Sequence, residues 1–195
     1  AEQDIEVEEE LDMYEAEGMV INPTKFPDAN FRNYVINTIN GGSIQLADDT
    51  RLAVSVVDIS NLGIADLTGI QYFPNINLLD CSGNALTTLN LSSNTEITEL
   101  DCSGNALTTL NLGTNTNLSI LDCSGNELTT LNLTSVRNVA SVDCSENALT
   151  SLTFYKSSGY NGSNGMLVEL DCSGTALTTL SSLNRFTVLQ VLDCS

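Results

Sequence analysis

The stretch LDCSGNALTTLNL, Leu79 to Leu91, returns unchanged at Leu100 to Leu112 and as LDCSGNELTTLNL at Leu121 to Leu133. VDCSENALTSLTF follows at Val142 to Phe154, LDCSGTALTTL at Leu170 to Leu180, and a closing LDCS at Leu192 to Ser195. The six cysteines, Cys81, Cys102, Cys123, Cys144, Cys172 and Cys194, are therefore 21, 21, 21, 28 and 22 residues apart. A degenerate copy beginning at Val57, VDISNLGIADLTGI, puts Ile59 at the cysteine position, so seven turns are visible, the last only begun. In ELDCS, alternation sends Leu100 and Cys102 to one face and Glu99, Asp101 and Ser103 to the other, the pattern of a half-buried strand. A unit this short cannot bury its own apolar side. Successive units must stack, with equivalent strands parallel and about 4.8 Å apart. Leu107, Leu110 and Leu112 then point inward from the returning half, where extended or 3₁₀ segments are expected rather than a regular helix.

Asn84, Asn105, Asn126 and Asn147 recur three places after the cysteine, where a side-chain amide can satisfy the backbone of the turn. Thr175 and Leu62 break the pattern, so this ladder should be interrupted at those turns.

The consensus L-x-x-L-x-C-x-x-N-x-L-x-x-L-x-L resembles the leucine-rich repeat over roughly residues 54–195. The resemblance implies a leucine-rich-repeat solenoid with about six complete turns and the start of a seventh. Parallel strands form one face and extended or 3₁₀ segments the other. The short cysteine-bearing copies are similar to internalin-type bacterial surface proteins, whose buried cysteines form a column. INPTKFPDANFRNYV followed by VVDISNLGIADLTGIQYFPNI looks like the cap and first repeat of secreted Firmicutes repeat proteins. Many such relatives carry a calcium loop after the cap. NTINGGSIQLADDTRLAVS lacks its D-x-[DN]-x-[DN]-G spacing, so no calcium site carries over.

Residues 19–53 read as a small helical N-terminal cap. Phe31, Val35 and Ile39 make an apolar stripe at spacing four, with Asp28 as N-cap and Gly41-Gly42 as the stop. Residues 1–18 hold nine acidic and no basic side chains. By composition they are a solvated tail, although Ile5, Val7, Leu11, Met13 and Tyr14 would let them dock on a neighbour.

A length of 195 residues suits one domain, and 42% apolar content can supply its core. The net charge of -19 argues against nucleic acids and anionic membranes as partners. Without histidine, Ser-His and Cys-His nucleophilic mechanisms cannot be assembled. Paired carboxylates occur as a repeat-wide column and not in a cleft, so the expectation is a protein without catalytic activity or cofactor. No run approaches a membrane span and no signal segment opens the chain, which fits a processed, extracellular or cell-surface protein beginning at Ala1.

Six cysteines in a secreted chain raise the question of disulfides, but in-register parallel Cα–Cβ vectors fit a disulfide poorly. Free buried thiols are expected, with an aspartate beside each and nothing to activate them. A linear column without a C-x-x-C pair also disfavours zinc.

The candidate interaction surface is the outward side of the strands. Asp58, Asp80, Asp101, Asp122, Asp143, Asp171 and Asp193 form one column, where repulsion should raise the carboxyl pKa values or recruit cations weakly. A solvated face and a surface for a basic partner both remain open. Two places earlier, Val56, Leu78, Ile120 and Val191 put apolar groups on a face expected to be wet, which points to a protein partner. The insertion after Phe154, YKSSGYNGSNG, is either decoration or a recognition loop using Tyr155, Lys156 and Tyr160 on a protein or glycan. The resemblance implies adhesion. The alternative is end-to-end assembly of copies into an extracellular polymer. Leu189, Leu192 and Cys194 lack a returning half to shield them, so either the natural chain continues or another molecule covers them.

Overall fold

A computed structural model describes residues 18–155, 166–180, 183 and 186–195. Seven strands, β3 (Val56–Asp58), β4 (Leu78–Asp80), β5 (Glu99–Asp101), β6 (Ile120–Asp122), β8 (Ser141–Asp143), β10 (Glu169–Asp171) and β11 (Val191–Asp193), form one parallel sheet in chain order. Two more, β7 (Thr130–Leu133) and β9 (Ser151–Phe154), pair in parallel on the returning half of their turns. The main register is strict: Asp58 faces Asp80, Asp80 faces Asp101, and so on to Asp193. The chain is a parallel solenoid.

The alternating pattern explains the strands. Their middle residues, Val57, Leu79, Leu100, Leu121, Val142 and Leu170, are at most 2% exposed, and the flanking positions face outward. Burying each aliphatic side chain stabilises by about 1.5–3 kcal/mol, which only stacking can deliver to a three-residue strand. Backbone pairing runs on past the strands, with the Cys81 N–H donating to Asp101 O and Gly83 to Ser103 O. Then the chain turns sharply. Asn61, Gly83, Gly104, Gly125, Glu146 and Gly174 all adopt left-handed φ between 52° and 63°, where glycine has no Cβ to clash. Returning segments bring in Leu86, Leu107, Leu128 and Leu149 to close the core. A 3₁₀ turn occurs at Ile70–Tyr72.

In the cap, β1 (Met19–Val20) pairs antiparallel with β2 (Gln45–Leu46). Helix α1 spans Ala29–Tyr34, with the Asp28 side chain accepting from the Asn30 and Phe31 N–H groups. Its other carboxylate oxygen accepts from Ala65 N–H at 2.9 Å, tying the cap to the first turn. The spacing-four stripe holds only in part. Val35–Ile39 widens into a π-helix, which leaves Phe31 and Val35 fully buried but Ile39 half-buried. A second helix, α2 (Asp48–Ala53), carries no pattern that sequence reading singled out. Phe26, Phe31 and Phe73 pack around the start of the core. No helix among the described residues is long and apolar enough to cross a membrane.

Candidate interaction face

The strands present two outward columns. In each DxS unit, the aspartate Oδ1 accepts the serine N–H two residues on, and from Asp58 through Asp171 the serine hydroxyl as well, at 2.6–2.8 Å. Asp193 accepts Ser195 N–H in the same way. One oxygen of each carboxylate is thus committed to the turn, a job that sequence alone does not separate from solvent display. The Oδ2 oxygens accept no hydrogen bond from the described residues.

The expected column-wide rise in pKa is corrected by this geometry. Burial pushes Asp122 up, with the Asp101 and Asp143 charges adding and Ser124 opposing. At the two ends the balance reverses: the Ser60 N–H and hydroxyl hold Asp58 below the usual carboxylate range, and Ser195 does the same for Asp193. Hydrogen bonding wins at the two ends, where solvent screens repulsion, and desolvation wins at Asp122. Among the described residues, no group of three or more His, Cys, Asp or Glu side chains is placed to hold a metal ion.

The second column holds Val56, 57% exposed, Ile120, 43%, and Val191, 53%, with Leu78 half-buried between its neighbours. Glu99, Ser141 and Glu169 occupy the remaining turns, and Ser141 donates to Glu169 at 3.3 Å. At the cap end, Tyr34, Ile39, Ala53, Val54 and Val56 line a shallow groove of about 460 Å³. Tyr34 also lies near Asp58, and Val56 is the groove's one member from the outward columns. Sequence reading missed this groove because it forms only when α1 and α2 meet the first strand.

Beneath the face, all six thiols are free; Cys81, Cys102, Cys123, Cys144 and Cys172 are buried and Cys194 is exposed. Cys102, Cys144 and Cys172 direct their S–H groups at the next turn's aspartate carbonyl, 3.3–3.4 Å away. Burial drives the Cys102 and Cys123 thiols far up and Cys144 up to about 12, which leaves them unionised.

The asparagine ladder binds turns together. Asn105 Nδ2 donates to Cys102 O and Ser103 O of its own turn and to Cys81 O of the preceding one, while Oδ1 accepts Leu86 N–H. The ladder is interrupted at Leu62 as expected, since that turn has no amide of its own, and it starts at Asn84, which reaches back to Ile59 O and the Leu62 and Ile64 N–H groups. At Thr175 it is interrupted again, with a hydroxyl donating to Cys172 O in place of the amide. A second ladder went unread. Asn94 and Asn115 are fully buried and donate to Ile70 O, Phe73 O and Asn94 O, and their identical place in SSN and GTN was the available signal.

Of the loop candidates, Tyr155 lies under the Arg137 guanidinium, 5.1 Å from ring centre. Lys156 and Tyr160 lie outside the described residues, as does the acidic segment up to residue 17.

No family model matches the chain. Over 71 residues, 36% of its length, it is 37% identical to Internalin J of Listeria monocytogenes serotype 4b (strain F2365), covering 8% of that protein. The solved functional domain of InlJ from Listeria monocytogenes, which includes a cysteine ladder, matches 92% of the chain at 25% identity and a TM-score of 0.52. The chain spans 53% of that domain. Internalin C2 of Listeria monocytogenes str. 4b F2365 shares the fold at 22% identity and a TM-score of 0.55, over 92% of this chain and 100% of the other. In register, core and thiol column the chain is an internalin-like leucine-rich-repeat solenoid with a cysteine ladder.

Proposed function

We propose that the chain is a non-catalytic, secreted or cell-surface module that binds other proteins through the outer face of its seven-stranded sheet. The observation that carries this reading is the exposed aliphatic column of Val56, Ile120 and Val191 beside a rank of carboxylates. Aliphatic groups on a sheet this acidic are costly to hydrate and gain from burial against a partner. Similarity to Internalin J supports a role in adhesion or surface contact. The absence of histidine from the sequence supports a binding role over a catalytic one.

Binding to a panel of immobilised extracellular proteins tests the reading. Val56→Ser with Ile120→Ser should weaken the retained interactions about tenfold, since central aliphatic anchors dominate interface energies. Thr108→Ala with Thr109→Ala, on the returning half, should leave them unchanged. Equal loss from both pairs would refute the assignment of the face.

A further inference from the structure

The repeat changes its wording between its first and second copies, and a recess opens there. Asp66 and Thr68 stand where the next turn has Thr88 and Asn90, in the same offset that sets Asp58 opposite Asp80. After them the two turns part. Gly69 takes a left-handed φ of 113° and a 3₁₀ turn follows at Ile70–Tyr72, whereas the second copy runs on without a helix to a turn at Ser92–Ser93. Between them lies a recess of about 300 Å³ on the returning side of the solenoid, lined by one carboxylate, two amides, four hydroxyls and a single aliphatic side chain, Leu67.

Three of these side chains are held at one polar atom and free at the other. Asp66 Oδ1 accepts Thr68 N–H at 2.8 Å, Gln71 Oε1 accepts Gly69 N–H at 2.8 Å, and Asn90 Oδ1 accepts Ser92 N–H at 3.1 Å. Asp66 Oδ2, Gln71 Nε2 and Asn90 Nδ2 have no hydrogen-bond partner among the described residues. The backbone thus preorganises one charged acceptor and two amide donors, with hydroxyls beside them that serve as either.

We propose that this recess binds one neutral hexopyranose unit of a saccharide. The site is separate from the protein-binding face proposed above and does not depend on it. Asp66 and the net charge of -19 repel an anion. One free carboxylate oxygen is too few for a metal ion, and no group of three His, Cys, Asp or Glu side chains is placed to hold one among the described residues. An apolar ligand would strand the free polar atoms, and no aromatic ring lines the recess to stack a base. A sugar hydroxyl is donor and acceptor at once. It gives its proton to Asp66 Oδ2 while accepting from the Gln71 or Asn90 amide, so neighbouring hydroxyls of one ring satisfy the lining together.

Amide NMR spectra of the isotope-labelled full chain, titrated separately with the methyl glycosides of glucose, galactose and mannose, test the site. At least one glycoside should bind with a Kd of about 1 mM, shifting the Thr68, Gly69 and Ser92 amides that the three fixed side chains hold. Asp66→Asn and Asn90→Asp each keep the oxygen that holds the backbone and invert the atom left for the ligand. Each should weaken binding about tenfold with the rest of the spectrum in place. Asn111→Asp, the same change one turn further on, keeps the acceptor for Gly113 N–H and should bind as the original chain does.

No shift from any of the three glycosides, equal shifts from glycerol or acetylglycinamide at the same concentration, the same shifts from calcium chloride alone, or indifference to both recess variants would each overturn the proposal. Val56→Ser with Ile120→Ser should leave glycoside binding unchanged, so the recess and the protein-binding face stand or fall separately.

Discussion

Replacing Asn126 by alanine tests how the solenoid holds its register. Asn126 is 8% exposed and makes four hydrogen bonds: Nδ2 to Cys102 O at 3.0 Å, Cys123 O at 3.1 Å and Ser124 O at 3.2 Å, and Oδ1 from Leu107 N–H at 3.0 Å. The carbonyls keep other donors, since Asn105 still reaches Cys102 O, Asn147 still reaches Cys123 O, and Gly104 N–H still reaches Ser124 O. Leu107 N–H keeps none among the described residues and is left in a dry core. That orphan costs about 1–3 kcal/mol and the three thinned carbonyls add a smaller sum, so the substitution should destabilise by about 2–4 kcal/mol. For a chain of this size that lowers Tm by about 5–15 °C. Asn126→Thr should recover about 1 kcal/mol through a hydroxyl bond of the kind Thr175 makes to Cys172 O at 2.7 Å. Urea melts followed by circular dichroism provide the comparison. A loss below about 0.5 kcal/mol for Asn126→Ala would mean that water satisfies Leu107 and that the ladder does not bind the turns.

Further outcomes follow from the carboxylates, the turn column and the thiols. The raised Asp122 opposes folding at neutral pH and ceases to do so as pH falls through its folded pKa, so Asp122→Asn should raise Tm at pH 7 and leave it unchanged in acid. For Asp28, burial acts upward but the Ala65, Phe31 and Asn30 N–H groups outweigh it and hold the carboxyl below its usual value. Its contribution is present above the unfolded value of 3.8 and lost as pH falls below it, so Asp28→Ala should cost about 1–2 kcal/mol at pH 7 and less in acid. Glu146 holds φ of 52° where Gly125 and Gly174 stand in the neighbouring turns, so Glu146→Gly should stabilise by about 1 kcal/mol in a denaturant melt. Native alkylation at mildly alkaline pH should label Cys194 alone, and denatured alkylation all six cysteines, read by intact mass. Labels missing in the denatured sample would signal disulfides.

The solenoid was legible because the cysteine period forces stacking and the two-residue alternation sets the buried face. Both signals are local, and repetition amplifies them. The cap was less legible: the Phe31–Val35–Ile39 spacing reads as one α-helix, but its second half is a π-helix, which shifts Ile39 off the buried stripe. Of the candidate face, the identity of both columns could be read from DCS and from Val56, Leu78, Ile120 and Val191. The electrostatics could not, because like charges in a row suggest repulsion, whereas the outcome depends on Ser60, Ser124 and Ser195 and on burial that differs from end to centre. Asn94 and Asn115 were masked by exposed-looking neighbours, Ser92, Ser93, Gly113 and Thr114, in what reads as a polar loop.

The central claim is that partners meet the sheet face and not the returning half. A photo-crosslinking side chain placed at position 120, and in a separate preparation at position 109, tests it most directly when each is illuminated with an extracellular protein that the unmodified chain retains. Both positions are exposed, so both variants should fold. The account predicts a covalent adduct from position 120 and none from position 109. An adduct from position 109 alone would contradict it and move the binding surface to the threonine-lined side of the solenoid.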